Sequence, residues 1–282
     1  MRRVFVGTLI IMLMCTFCRA ETITINIDTA TEQEINDLIK RLQEEKTERI
    51  IERLAEEPFG LPSDGLITFR DIPWYTSRTN AEKILGKSSS SNWMSSLYRL
   101  SYIDYQNISW GGDTVEGDLG CRPYYNGLTV AGYTPSDVYL CFMFPIVDDL
   151  IIRDISVAQL YMGYYTFTSS DFGDIGSVYL DLEEKLTRLY GEGESTVTEY
   201  SSYIIWQDIE ENKIRLKVDS NNTYLTLAYI AGDADSRIDE LAQALALEKK
   251  KVEDQIKTQG HVRCSPLNNR SALPGRLCIG DG

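Results

Sequence analysis

The sequence predicts an α+β fold: an antiparallel meander sheet with helices on one face, flanked by two long helices. Every tryptophan and tyrosine lies between Trp74 and Tyr229, whereas residues 21–58 and 230–282 hold no aromatic side chain. Aromatic rings dominate core burial, so this shift marks one globular domain over 59–230. Inside it, β-branched and aromatic runs follow one another across short polar turns. Such spacing leaves no room for crossover helices and favours antiparallel pairing. The flanks carry apolar residues at helical spacing instead.

The first twenty residues read as a signal peptide. Met1, Arg2 and Arg3 precede a 15-residue apolar stretch, Val4 to Cys18, and Cys18-Arg19-Ala20 suits cleavage after Ala20. The stretch is shorter than the roughly 20 residues that span a bilayer, and no transmembrane segment is expected once it is removed. The mature chain is expected in the periplasm or outside the cell. A lipid anchor on Cys18 is disfavoured, because Thr16-Phe17 lacks the small residues of a lipobox.

Residues 21–58 should hold a strand and a long amphipathic helix. Thr31 and Glu34 form a capping box, and Ile35, Leu38, Ile39, Leu42, Ile50, Ile51 and Leu54 make a stripe that stops before Pro58. In the domain, Ile67–Phe69 reads as a short strand, and Thr79-x-x-Glu82 opens a helix ending at Leu85-Gly86. A serine-rich loop follows at 88–91. Strands are expected at 98–109, 138–144 and 155–167. Val178, Leu182, Leu186 and Leu189 give a helix stopped by Tyr190-Gly191, and three strands close the domain at 197–206, 213–218 and 223–230. The second long helix covers 231–259, with Ser236 as its cap. Both flanking stripes have a polar gap, so the two helices are expected to pair, within one chain or between subunits. The tail 260–282 is rich in Pro and Gly and should be dispensable for folding.

The stretch from Phe69 to Gly86 (Phe-Arg-Asp-Ile-Pro-Trp-Tyr-Thr-Ser-Arg-Thr-Asn-Ala-Glu-Lys-Ile-Leu-Gly) resembles a phrase of exported bacterial α+β proteins of unassigned function, in which an Ile-Pro-Trp turn leads into a helix ending Leu-Gly. The run from Leu189-Tyr190-Gly191 through Trp206, Ile214–Leu216 and Leu225–Tyr229 is similar to the helix and three-strand meander of the same proteins. A more distant likeness is to outer-membrane assembly lipoproteins of the BamE type. The resemblance covers about half the domain and carries over no catalytic residue. The long flanking helices and the missing lipobox depart from it.

After loss of the leader, 25 basic side chains face 42 acidic ones, a formal charge of −17. Nucleic acid is therefore an unsuitable partner, and a cationic protein or peptide face suits better. Residues 100–184 hold thirteen acids against Arg122 and Arg153, together with ten tyrosines. That composition predicts an acidic, aromatic face, with Asp148, Asp149, Asp171 and Asp174 as the binding candidates. The same four are the candidates for a carboxylate-dependent hydrolase such as a glycosidase, although each also sits where an aspartate caps a turn. No catalytic residue, metal ligand set or cofactor site is assigned. The one histidine, His261, lies in the tail, and no phosphate-cradling glycine motif occurs. Four cysteines remain after cleavage, and in an exported chain the sequence-local pairs Cys121–Cys141 and Cys264–Cys278 are the preferred disulfides.

Overall fold

A computed structural model describes residues 8–12, 22–26, 31–56, 65–98 and 114–262. Strands β1 (Thr8–Met12) and β2 (Thr22–Asn26) form a separate antiparallel ladder with Leu9 opposite Ile25. Cleavage after Ala20 would leave β2 without this partner. Helix α1 (Glu32–Glu56) starts on the expected capping box: the Thr31 hydroxyl accepts from the Glu34 amide at 3.2 Å, and the Glu34 carboxylate accepts from the Thr31 amide at 2.7 Å.

The domain then runs α2 (Arg78–Leu85), β3 (Ser90–Tyr98), β4 (Thr114–Tyr125), β5 (Asp137–Met143), a small hairpin of β6 (Ile146–Val147) and β7 (Leu150–Ile151), and β8 (Gln159–Thr168). It continues through α3 (Ser169–Phe172), α4 (Ile175–Tyr190), β9 (Glu194–Val197), β10 (Ser201–Gln207), β11 (Lys213–Asp219), β12 (Tyr224–Ile230) and α5 (Ala234–Val262). Eight strands make one antiparallel sheet in the order β3-β4-β5-β8-β12-β11-β10-β9. The expected mixed composition and antiparallel pairing are present. The order is not one meander, however, because β8 lies beside β12 rather than β9.

Two four-stranded meanders are thus joined through their last strands, and each follows a helix built in the same way. Ser77 caps α2 by accepting from the amide three residues on, and Asp174 does the same for α4. Gly86 ends α2 at φ 85° with its N–H on the Glu82 carbonyl; Gly191 ends α4 at φ 81° with its N–H on the Thr187 carbonyl. Only glycine enters that region freely, which fixes where both helices stop. The sequence places both Gly stops correctly. It misses the α2 cap, because the Thr79 hydroxyl is taken by the Ser156 carbonyl at 2.9 Å.

Both helices cover the same side of the sheet. The Arg78 guanidinium reaches Cys121 Sγ at 4.0 Å, and Val178, Leu182 and Leu186 of α4 are buried in the core that includes Leu216, Leu225 and Leu227. Between the helices sits Phe69, stacked on Tyr165 at 5.1 Å and edge-on to Tyr229 at 5.7 Å. Residues 67–69 form no strand; Phe69 and Ile72 make an isolated bridge in a tight turn that delivers the ring. Gly163 makes room for it, since a Cβ there would lie 2.4 Å from the Phe69 ring.

Strand β4 was not expected, because Gly117, Gly120 and Pro123 lower its β propensity; it is stabilised by pairing on both sides. Residues 99–109 of the expected 98–109 strand, and the tail 263–282 with Cys264 and Cys278, lie outside the described residues. Cys121 and Cys141 are buried free thiols, which corrects the expected bridge between them. The reason is register: Cys121 is paired with Phe142, so Cys141 points to the other side of the sheet. Helix α5 begins at Ala234, two residues before the expected cap Ser236.

Trp206 is buried and donates from Nε1 to the Gly191 carbonyl at 2.9 Å; Trp74 is half-buried, with Nε1 on the Ile67 carbonyl at 2.8 Å. Trp206→Ala should cost about 3–5 kcal/mol and Trp74→Ala distinctly less, measured by urea unfolding. Gly163→Ala should cost about 1–3 kcal/mol through overpacking against Phe69, a loss that a second change, Phe69→Leu, should partly relieve.

Candidate functional site

The sheet side turned away from α2 and α4 is built by strand alternation. The pairing registers place Tyr124, Tyr139, Tyr164, Ala228, Arg215 and Ile205 in a single row across β4, β5, β8, β12, β11 and β10. A parallel row holds Asp137, Thr166, Thr226, Lys217 and Tyr203. Arg122, two residues before Tyr124, shares this side.

The tyrosines of the first row interact as neighbours. Tyr124 and Tyr139 have ring centroids 5.4 Å apart, and Tyr139 and Tyr164 stack at 5.3 Å with 29° between planes. The Arg122 guanidinium lies 4.8 Å over the Tyr139 ring and donates to the Tyr164 hydroxyl at 3.2 Å. Such stacking orders a long cationic side chain on an aromatic surface. Burial, with Asp137 nearby, pushes the Tyr124 and Tyr139 hydroxyls above their ordinary pKa, so both remain neutral donors. Tyr124, Tyr139, Tyr203 and Ile205 stay half-exposed, while Tyr164, Ala228 and Arg215 in the middle of the first row and Thr166 and Thr226 in the second are buried. Half-exposed Lys213 and Lys217 join Arg122 on this face with Asp137 and Asp219, while Arg215 between the two lysines is buried.

The four sequence-predicted aspartates are not on this face and do not converge. Asp148 and Asp149 form the two-residue turn of the β6–β7 hairpin, with φ 51° and 62°, left-handed backbone that a short polar side chain tolerates. Asp148 pairs with Lys46 at 3.1 Å. Asp171 accepts from the Ser136 hydroxyl and from the Thr168 hydroxyl at 2.8 Å, and Asp174 caps α4. The hairpin follows the Met143 end of β5, whereas Asp171 and Asp174 follow the Thr168 end of β8. Those ends are separated by the length of β5, roughly 20 Å. Hydrogen bonds to the ionised form hold Asp171 and Asp174 below the ordinary carboxylate pKa, the direction opposite to that of a general acid.

Other acids of the 100–184 stretch are also engaged locally. Asp154 accepts from the Ser156 amide at 2.8 Å, Asp181 from the Tyr133 hydroxyl at 2.8 Å and from Lys185 at 2.6 Å, and Glu184 pairs with Arg188. The buried polar cluster under α2 is equally quiet. Burial pushes the Cys121 thiol up to about 11 despite Arg78 beside it, so it is not a thiolate nucleophile at neutral pH. Among the described residues no group of three or more His, Cys, Asp or Glu could hold a metal ion, and no helix is long and apolar enough to cross a membrane.

The face was only half legible in sequence. Lys213, Arg215 and Lys217 alternate with Ile214, Leu216 and Val218, which signals one polar side of a strand. Their alignment with Tyr124, Tyr139 and Tyr164 needs the register of five strands. Comparison with protein-family models, with curated proteins and with solved structures finds no match.

One carboxylate reports on this face's rim. Asp219 closes the β11–β12 turn, accepting from the Thr223 and Tyr224 amides at 2.7 and 2.9 Å. Burial alone would raise its pKa, but the Thr223 hydroxyl and these amides outweigh burial and hold it low. Its folded pKa is below the unfolded value, so its stabilisation is present above about pH 4 and is lost as pH falls through the depressed folded value. Asp219→Asn should therefore flatten the acid limb of stability against pH below about 4, read by urea midpoints, and leave the slope near neutrality unchanged.

Proposed function

We propose that this protein is an exported, non-enzymatic binding or scaffolding module of the bacterial periplasm or cell surface, and that the tyrosine and arginine face is its contact surface. The observation that carries this reading is the half-exposed pair Tyr124 and Tyr139, backed by buried Tyr164, with Arg122 laid on it. Tyrosine and arginine are enriched at protein contacts because tyrosine offers large area with little rotamer freedom to lose and arginine offers a planar fork of directed hydrogen bonds. The leader and the resemblance to exported BamE-type proteins support the envelope setting. The hydrolase reading is weaker, because the candidate carboxylates are spread over opposite ends of the sheet and serve as caps and turns.

A second reading keeps a cationic partner, since Asp148 and Asp149 are exposed together at the tip of the β6–β7 hairpin in a strongly acidic chain. The two readings separate in one experiment. The mature protein and two variants are used to capture partners from an envelope fraction at low and high salt. Arg122→Ala with Tyr124→Ala should weaken capture by roughly tenfold or more while circular dichroism remains unchanged. Neutralising Asp148, Asp149, Asp171 and Asp174 should leave it intact. Loss on neutralisation together with salt sensitivity, and indifference to the face variant, would establish the acidic contact instead.

A further inference from the structure

Helices α1 and α5 both anchor beside the β6–β7 hairpin and then run past it. Ile50 of α1 is buried against Ile152 and Val157, with Leu54 and Ala55 packed alongside, and Lys46 reaches Asp148. Ile238 and Leu241 of α5 enter the main core, and Glu248 holds Arg153 through two contacts of 2.6 and 3.5 Å. Beyond these anchors each helix carries apolar side chains into solvent, although Leu38 and Leu42 of α1 are half-buried. Ile35 and Ile39 are 37% and 47% exposed, one turn apart on α1; Val252 and Ile256 are 55% and 65% exposed, one turn apart on α5. Ile35, Ile39, Val252 and Ile256 are therefore not covered within one chain, and the expected intramolecular pairing does not extend over these positions.

The two halves differ in charge. Residues 32–48 hold six carboxylates against three cations, whereas residues 249–257 hold four lysines against Glu253 and Asp254. An apolar stripe flanked by opposite charges is the pattern by which paired helices select their partner and orientation. One chain carries both members of the complementary pair, so a second copy related by a twofold axis satisfies both contacts at once.

We propose that the protein forms a homodimer in which the outer half of α1 from one copy packs on the outer half of α5 from the other. The occupant of each exposed stripe is then another molecule of this chain. The outer α1 half, about 15 residues, is roughly 22 Å or about four turns long, enough to bring both Ile35 and Ile39 onto the partner helix.

Sedimentation equilibrium of the mature protein tests this. The parent should show twice the monomer mass, and Ile39→Glu with Ile256→Glu should be monomeric with an unchanged circular-dichroism spectrum, because neither residue packs on the domain. Asp37→Lys with Glu44→Lys should weaken the dimer, Lys250→Glu with Lys257→Glu should weaken it likewise, and the four changes together should restore it. A parent that stays monomeric up to about 100 µM overturns the proposal. So does a dimer indifferent to the Ile39 and Ile256 changes, or one that the combined charge exchange fails to restore.

Discussion

Seven consecutive residue pairs join β8 to β12, from Thr168–Tyr224 to Met162–Ile230, and they weld two four-stranded meanders into one sheet. Eight of the ten residues of β8 are buried, so this central strand is covered on both sides and the half-exposed tyrosines of the row lie on β5 and β4 beyond it. Phe69 fixes the seam from the helical side, where the absent side chain of Gly163 admits the ring against Tyr165 and Tyr229. On the other side the same ladder sets Tyr164 beside Ala228 and so aligns the tyrosine row with Arg215. Helix placement and the proposed contact face both depend on this one register.

Elements that declare themselves locally were legible in sequence. The capping box of Thr31 and Glu34, the glycine stops at 86 and 191, and the alternating β11 strand need only neighbouring residues to be read. What escaped depends on distant partners. Strand β4 looks poor in isolation because of its glycines and Pro123, yet it is held by β3 and β5. The neighbourhood of β8 and β12 escaped because two helices and three strands separate them in sequence, and local pattern does not report which meander ends meet.

The acidic composition was read as a face and is instead distributed as fastenings. Asp154, Asp171, Asp174 and Asp219 each close a turn or a helix end, and Asp181 ties α4 to Tyr133. Aspartate is used here for its short acceptor side chain as much as for its charge. Lys213 and Lys217 of β11 and Arg122 of β4 stay half-exposed on one sheet side beside Tyr124 and Tyr139, so an acidic protein presents a locally basic, aromatic surface.

The seam is tested most directly by native-state hydrogen exchange. If the β8–β12 ladder makes the two meanders one cooperative unit, the amides of Tyr164, Thr166, Leu227 and Ala228 should exchange slowest, together with those of Leu140 and Leu216, and all should report the global unfolding free energy. Exchange of the β9–β12 half at a distinctly lower free energy than the β3–β8 half, with the seam amides opening alongside it, would contradict the account.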